Sequence, residues 1–265
     1  MTKLKLRLLA VAAITIIAIG GVSLLPRLQQ DPAYHNFADH REFLGIANCL
    51  DVLSNWPFLF VGVLGVRLLL KPRGADTENT LAAEERWPWM LFFLGVGLTS
   101  FGSAYYHLAP GNGRLLWDRL PMALGFMSLL AAVIAERIDV RAGVRLLGPL
   151  AGYGIWSVLY WHFSETRGQG DLRPYILTQF FPLLLIPALL GLFPAKYTRG
   201  GDLFGALGIY GLAKAFEFLD ARIFAAGHIV SGHTLKHLTA AAATWWIYRM
   251  FKLRRPIETA QVRSR

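Results

Sequence analysis

Charged side chains are scarce in this sequence. Asp, Glu, Lys and Arg together make up 17% of the 265 residues, whereas an ordinary soluble domain carries about 25%. The shortage runs along the whole chain, in which 54% of the residues are hydrophobic and the mean hydropathy is +0.41. A soluble domain on a single anchor is therefore excluded, and we predict a polytopic membrane protein.

Cysteine and long polar segments are also nearly missing. Cys49 is the only cysteine, which excludes a disulfide within the chain. The longest connectors between apolar segments, 26–47 and 71–87, are too short to fold as soluble domains. The sequence contains neither a convincing internal repeat nor a low-complexity segment. We therefore predict one all-α bundle of membrane helices.

Apolar runs of the length that crosses a bilayer, about 20 residues, occur eight times. They lie at 8–25, 48–70, 88–108, 115–136, 143–163, 174–193, 203–224 and 231–251. The first run lacks a convincing cleavage site, so we expect a retained helix rather than a signal peptide. The predicted divisions are an extra N-terminal transmembrane helix at 1–30, a seven-helix transmembrane domain at 31–253 and a basic tail at 254–265.

The net charge of +10 has a topological explanation. If the N-terminus is cytoplasmic, the predicted inside segments carry seventeen Lys and Arg residues and the outside segments carry seven. Cytoplasmic loops of membrane proteins are enriched in these residues. We therefore expect both termini in the cytoplasm, and we expect no nucleic-acid partner.

Polar side chains inside the apolar segments are candidates for function, because they are costly in a bilayer. In the second segment, Asn48, Asp51 and Asn55 share one helical face and Ser54 lies close to it. Hydrogen bonding between helices explains this cluster as well as a functional role does. Both interpretations stay open for these residues.

A second polar cluster lies where the third and fourth segments meet. Ser103 and His107 are one helical turn apart. Pro110, Gly111 and Gly113 then break the helix before Asp118. A tight helical hairpin at this point predicts that Asp118 returns close to His107.

The eighth segment begins with His233 and His237, an i, i+4 pair. This spacing lets two imidazoles on one helix chelate one metal ion, as in other zinc hydrolases. The predicted topology places this pair, His107 and Asp118 at one level near the outer face, although the charge count did not use them. We therefore predict one shared site.

Together these motifs resemble the alkaline ceramidase family. The resemblance rests on Asp51-x-x-Ser54-Asn55, on Ser103-x-x-x-His107 with Asp118 eleven residues later, and on His233-x-x-x-His237, and it covers residues 44–251. The wider superfamily includes the adiponectin-receptor-like proteins and lipid-remodelling membrane hydrolases. The resemblance implies a seven-helix zinc hydrolase core, and the first helix is an addition to that core. It also implies a bacterial-type member of the family, located in the inner membrane.

The resemblance also implies a chemistry. His107, His233 and His237 would bind one zinc ion (Zn²⁺), and Ser103 and Asp118 would contact the attacking water. The reaction would be hydrolysis of the amide bond of ceramide or a related N-acyl lipid, which releases a fatty acid and an amine base. The lipid substrate would enter the site from the bilayer.

The segment that precedes the second helix departs from the family pattern. Eukaryotic alkaline ceramidases carry an acidic calcium-binding segment there, whereas this chain reads YHNFADHREFLGIAN. Asn48 stands in place of an expected glutamate, and Asp51 in place of an asparagine. This departure argues against calcium (Ca²⁺) regulation. Asp39, Asn48, Asp51 and Ser54 are the candidates for residues that surround the metal or form a calcium region.

Other functions fit the same features. An adiponectin-receptor-like receptor keeps the zinc, but the loops and tail here are too short to hold an evident partner-binding domain. A lipid-remodelling hydrolase would cleave an ester instead of an amide. A transporter would carry its polar layer at the midplane rather than near one face. The oligomeric state stays open.

Charged residues in the last two segments have simpler interpretations. Lys214 and Glu217 are three residues apart, which favours an internal ion pair over a polar lining of the pocket. Lys236 lies at the start of the last segment, where we expect its long side chain to reach outward to the interface.

Overall fold

The structure is a computed structural model that describes residues 2–71, 81 and 83–257. Within these ranges no strand occurs, and two isolated β-bridges are present. Ten α-helices follow one another in the described chain. They are α1 Lys3–Leu24, α2 Cys49–Leu53, α3 Trp56–Leu70, α4 Arg86–Leu108, α5 Asn112–Arg137, α6 Val140–Thr166, α7 Arg173–Leu192, α8 Asp202–Phe218, α9 Asp220–Ala225 and α10 Gly232–Leu253.

Four helical stretches of the described chain are long and apolar enough to cross a membrane. They are Lys3–Leu24, Cys49–Leu70, Asn112–Arg137 and Arg173–Leu192. The prediction of an all-helical chain is therefore confirmed for the described residues, and these four stretches support the prediction of a membrane protein. The number of crossings stays a prediction, and Arg73, Arg263 and Arg265, which entered the charge count, lie outside the described residues.

Two predicted segments are broken rather than continuous. The second segment divides into α2 and α3 at Ser54 and Asn55, directly before Pro57 in the first turn of α3. Proline has no N–H to donate into the preceding turn. At the break, the Asn55 side-chain amide donates to the Asp51 carbonyl at 2.7 Å. The seventh segment likewise divides at Leu219, between α8 and α9.

One end of the bundle buries a large apolar cluster together with the Arg254–Glu136 ion pair, and the other end, which we name the polar end, carries the predicted metal ligands. Trp89, Phe93, Leu130, Leu189 and Met250 are fully buried where α4 begins and where α5, α7 and α10 end. The opposite end brings together the C-terminal end of α4 and the N-terminal ends of α5 and α10. This polar end holds all three predicted metal ligands.

The first helix attaches to the bundle through α7. Arg173, in the first turn of α7, donates to both carboxylate oxygens of Asp171 and to the Leu25 carbonyl, the last at 2.8 Å. This contact fixes the C-terminal end of α1, which otherwise buries no residue of its own. α1 packs against α7 and contributes no residue to the histidine cluster.

Candidate metal centre

Three histidine side chains meet at the polar end of the bundle. His107 lies in the last turn of α4, and His233 and His237 lie one turn apart at the start of α10. The Nε2 atoms of His107 and His233 are 3.3 Å apart. One ring nitrogen from each of the three residues lies within 4.8 Å of the others, and all three side chains are buried. This cluster could hold a metal ion.

Hydrogen bonds around His237 are compatible with metal binding through Nε2. The Ser54 hydroxyl lies 3.0 Å from the Asp51 carbonyl and 2.8 Å from His237 Nδ1. When the hydroxyl donates to the carbonyl, its oxygen can accept the Nδ1 proton. That leaves the neutral ring with its lone pair on Nε2, which is a form that binds a metal.

One unpartnered nitrogen supports a metal at this cluster. His237 Nε2 is buried and has no hydrogen-bond partner among the described residues. Buried polar atoms normally have one. A metal bound by His237 through Nε2 would satisfy that atom, whereas another apolar neighbour would not.

The polar cluster of the second segment supports the histidines by hydrogen bonding. Asn48 donates its amide to the His107 carbonyl at 2.8 Å. Asp51 accepts from Thr234 at 2.5 Å and from Ser231 at 3.3 Å, which ties α2 to the first turn of α10. These residues therefore touch the site while also joining helices, so the two interpretations of the cluster are compatible.

Ser103 and Asp118 lie on the two helices of the hairpin, α4 and α5, which approach each other closely. Both side chains are buried. Gly102 makes this approach possible, because a Cβ at that position would overlap the Trp117 carbonyl. The small residue next to Ser103 was a sequence signal for close helix packing.

A cavity of about 260 Å³ opens next to these residues and runs into the bundle. Its polar end is lined by Ser103, Asp118 and His237. Farther along, the wall is mainly apolar and comes from α3, α4, α5, α7, α8 and α10. Phe92, Leu129, Ile186, Leu203 and Ile247 are among the side chains of that wall.

Residues 26–48, which we name the covering segment, close the histidine cluster on one side. The Phe37 ring lies 4.6 Å from the His107 ring and 4.3 Å from the His233 ring. Asp220 accepts from the Ala38 amide at 2.9 Å and from the His233 amide at 2.8 Å. The covering segment is thus attached to the same helix end that carries two of the histidines.

Asp39 belongs to this attachment. Both of its carboxylate oxygens accept from Arg41, at 2.8 and 2.7 Å. Arg41 also donates to the carbonyls of His228 and Ile229, each at 2.8 Å. The Arg41 guanidinium holds the pKa of the Asp39 carboxyl below its usual value. Asp39 therefore joins the covering segment to the loop before α10.

Sequence reasoning missed several residues that line the site. The prediction that Lys236 reaches outward is wrong, because its ammonium lines the cavity and lies 3.1 Å from His233 Nε2. The attraction of Glu217 on the adjacent α8 accounts for this inward direction. The i, i+3 spacing from His233 was the available signal. Phe37 and Tyr34 gave none, because they lie in a segment without helical periodicity.

Three helices and the α2–α3 break thus bring the predicted residues together. His107, His233 and His237 form the cluster, Ser54 contacts His237, and the cavity beside them carries Ser103 and Asp118. Asn48, Asp51 and Asp39 lie around this centre in hydrogen bonds to other residues. No protein-family model matches this chain, and a search of curated proteins finds no match either.

Proposed function

We propose that this protein is a zinc-dependent membrane hydrolase that cleaves the amide bond of ceramide or a related N-acyl lipid. The observation that carries the proposal is the position of the histidine cluster, which lies where a buried carboxylate and a deep apolar cavity meet. A metal, a proton acceptor and space for a hydrocarbon chain are the three requirements of such a reaction.

The donor set favours zinc. Three neutral imidazoles with a fourth position left for water or substrate are typical of catalytic zinc sites. A zinc ion held there supplies Lewis acidity, which polarises a carbonyl and makes water a better nucleophile near neutral pH. Ser54 contributes by keeping His237 in the tautomer that binds through Nε2.

The side chains on the cavity wall then perform the proton transfers. In the proposed reaction, Asp118 accepts a proton as water adds to the carbonyl carbon, and it returns that proton to the amide nitrogen as the C–N bond breaks. The Ser103 hydroxyl donates a hydrogen bond to the oxygen that gains negative charge. The products are a fatty acid and an amine base.

The apolar part of the cavity supports a lipid substrate. Its wall offers hydrocarbon contact along the bundle, and burial of apolar surface stabilises a bound acyl chain by about 25 cal/mol for each Å². The covering segment limits access of bulk water from the opposite side through Phe37. The residue pattern that resembles the alkaline ceramidases supports an amide as the bond that is cleaved.

A matched substrate panel tests the proposal. Purified protein is incubated with ceramide, an N-acyl ethanolamine and an ester lipid of equal acyl length, and released fatty acid is measured with and without a chelator. We expect chelator-sensitive amide cleavage, lost in His233→Ala and kept in His162→Ala, a histidine on α6 outside the cluster. Cleavage of the ester alone would favour the lipid-remodelling alternative, and full activity of His233→Ala would end the proposal.

A further inference from the structure

The polar end of the cavity carries an excess of positive charge. Lys214, Lys236 and Arg119 line it, together with the two carboxylates of Asp118 and Glu217. With all five groups ionised, including Asp118 as the proton acceptor of the proposed reaction, one positive charge is left over. It lies in a region of low dielectric, where an uncompensated charge is costly.

Glu217 is the carboxylate that interacts with both Lys214 and Lys236. Glu217 forms an ion pair with Lys214, and its other oxygen lies 3.5 Å from the Lys236 ammonium. The Lys236 side chain is only 18% exposed. Its closest polar neighbour is His233 Nε2, at 3.1 Å. Lys236 is thus a partly buried cation that shares its single carboxylate with Lys214 and lies at the reacting end of the cavity.

Arg119 has no carboxylate partner among the described residues. Its Nη2 donates to the Gln30 side chain at 2.6 Å, and its guanidinium stacks on Trp161 and Tyr175 at 4.2 and 4.6 Å. The residue is 5% exposed, and its Nη1 donor has no described acceptor. A guanidinium held this way has donors left for a carboxylate or phosphate.

We propose that Lys236, assisted by Arg119, binds an anionic group on the lipid, so that this site prefers lipids carrying a carboxylate or a phosphate next to the reacting bond. The chemistry shared by both groups is an oxyanion that accepts charge-assisted hydrogen bonds. As a statement about substrate choice the inference rests on the proposed hydrolase function, but anion binding itself is measurable without turnover.

Three C18 ligands that contain no amide or ester test the inference. Oleate, oleyl phosphate and oleyl alcohol share one hydrocarbon chain and differ only in the head group. Their dissociation constants are measured by equilibrium binding to the purified full chain in zwitterionic nanodiscs at a pH where oleate is ionised. We expect wild-type protein to bind at least one anionic ligand about tenfold more tightly than the alcohol, because the anion forms a charge-assisted hydrogen bond that the alcohol cannot form. If only oleate or only oleyl phosphate binds tightly, that result shows whether the site recognises a carboxylate or a phosphate.

Lys236 variants assign the effect to this residue. Lys236→Met should bind all three ligands alike, and Lys236→Arg should keep the preference because it keeps the charge. Lys252→Met, which removes an exposed lysine near the other end of α10, is the matched control and should behave as wild type. Unchanged zinc content and melting temperature show that Lys236→Met is folded.

Two results overturn the inference. Wild-type protein that binds the alcohol as tightly as both anions has no anionic site. A preference that persists in folded Lys236→Met belongs to other residues. Neither result affects the hydrolase proposal, which fails instead if no amide is cleaved, and an anion preference in a protein without amidase activity would leave this inference standing as a binding site.

Discussion

At the scale of single residues, the Ser54 hydroxyl has a large influence for its size. It lies within hydrogen-bond distance of the Asp51 carbonyl and of His237 Nδ1, and by accepting the Nδ1 proton it would leave Nε2 free for a metal. The sequence could suggest that Ser54 lies near the histidines, since it belongs to a polar cluster on one membrane helix. It could not reveal the contact, because that contact requires the break between α2 and α3.

Removing this hydroxyl should weaken the metal site. Partners that orient a ligating histidine typically contribute 10–100-fold to metal affinity, so Ser54→Ala should bind zinc about 10–100-fold more weakly. Ser54→Thr keeps the hydroxyl and should bind nearly as wild type. Competition with a chromophoric chelator measures both affinities. Ser128→Ala, which removes another buried serine hydroxyl, is the control, and equal affinities in Ser54→Ala and Ser128→Ala would contradict the assigned role.

Asp118 has a different role at the same scale, since it acts on protons rather than on the metal. Asp118→Asn keeps the size of the side chain but cannot accept a proton. We expect its kcat for amide hydrolysis to fall by about 10²–10⁴, with the zinc content unchanged. Metal analysis and fatty acid release on the same preparation separate the two effects. A kcat within twofold of wild type would remove Asp118 from the mechanism.

At the scale of helices and loops, the features that the sequence predicts are those with a helical spacing or a turn motif. His233 and His237 share a face because of helix geometry alone, and the turn residues after His107 implied the hairpin that returns Asp118. Helix breaks at Ser54 and Leu219 interrupt apolar runs without changing their composition, so hydropathy did not show them. The placement of Phe37 depends on tertiary contacts of the covering segment, such as the Ala38–Asp220 hydrogen bond, which no local pattern encodes.

The attachment of the covering segment should depend on pH through Asp39. Its pKa is lowered in the folded protein by the hydrogen bonds from Arg41, relative to about 3.9 in an unfolded chain. The resulting stabilisation is fully present above pH of about 4 and is lost as the pH falls through the lower folded pKa. Asp39→Asn should therefore melt below wild type at neutral pH, and the difference should vanish in acid.

Melting temperatures of both proteins between pH 7 and strongly acidic conditions test this dependence. Glu42→Gln alters an exposed carboxylate in the same segment and should leave the melting temperature at neutral pH unchanged. A melting difference between wild type and Asp39→Asn that grows as the pH falls would have the wrong sign and would refute the assignment.

At the scale of the whole molecule, the histidines lie at one end of the bundle, opposite the end where α4 begins and α10 ends. The charge count predicts that this opposite end faces the cytoplasm together with both termini. A reporter that is active only in the cytoplasm should therefore be active when fused to the C-terminus, and inactive when inserted after Gly168, in the loop between α6 and α7. The opposite pattern would invert the proposed orientation.

The metal is the central element of the proposed function, and X-ray absorption at the zinc edge tests it most directly. Purified protein should contain close to one zinc, bound to three imidazole nitrogens at about 2.0–2.1 Å. His237→Ala should lose one of these nitrogens or the metal itself. A protein that binds no zinc after exposure to the ion, or that binds it in His237→Ala with an unchanged spectrum, would contradict the assignment of His107, His233 and His237.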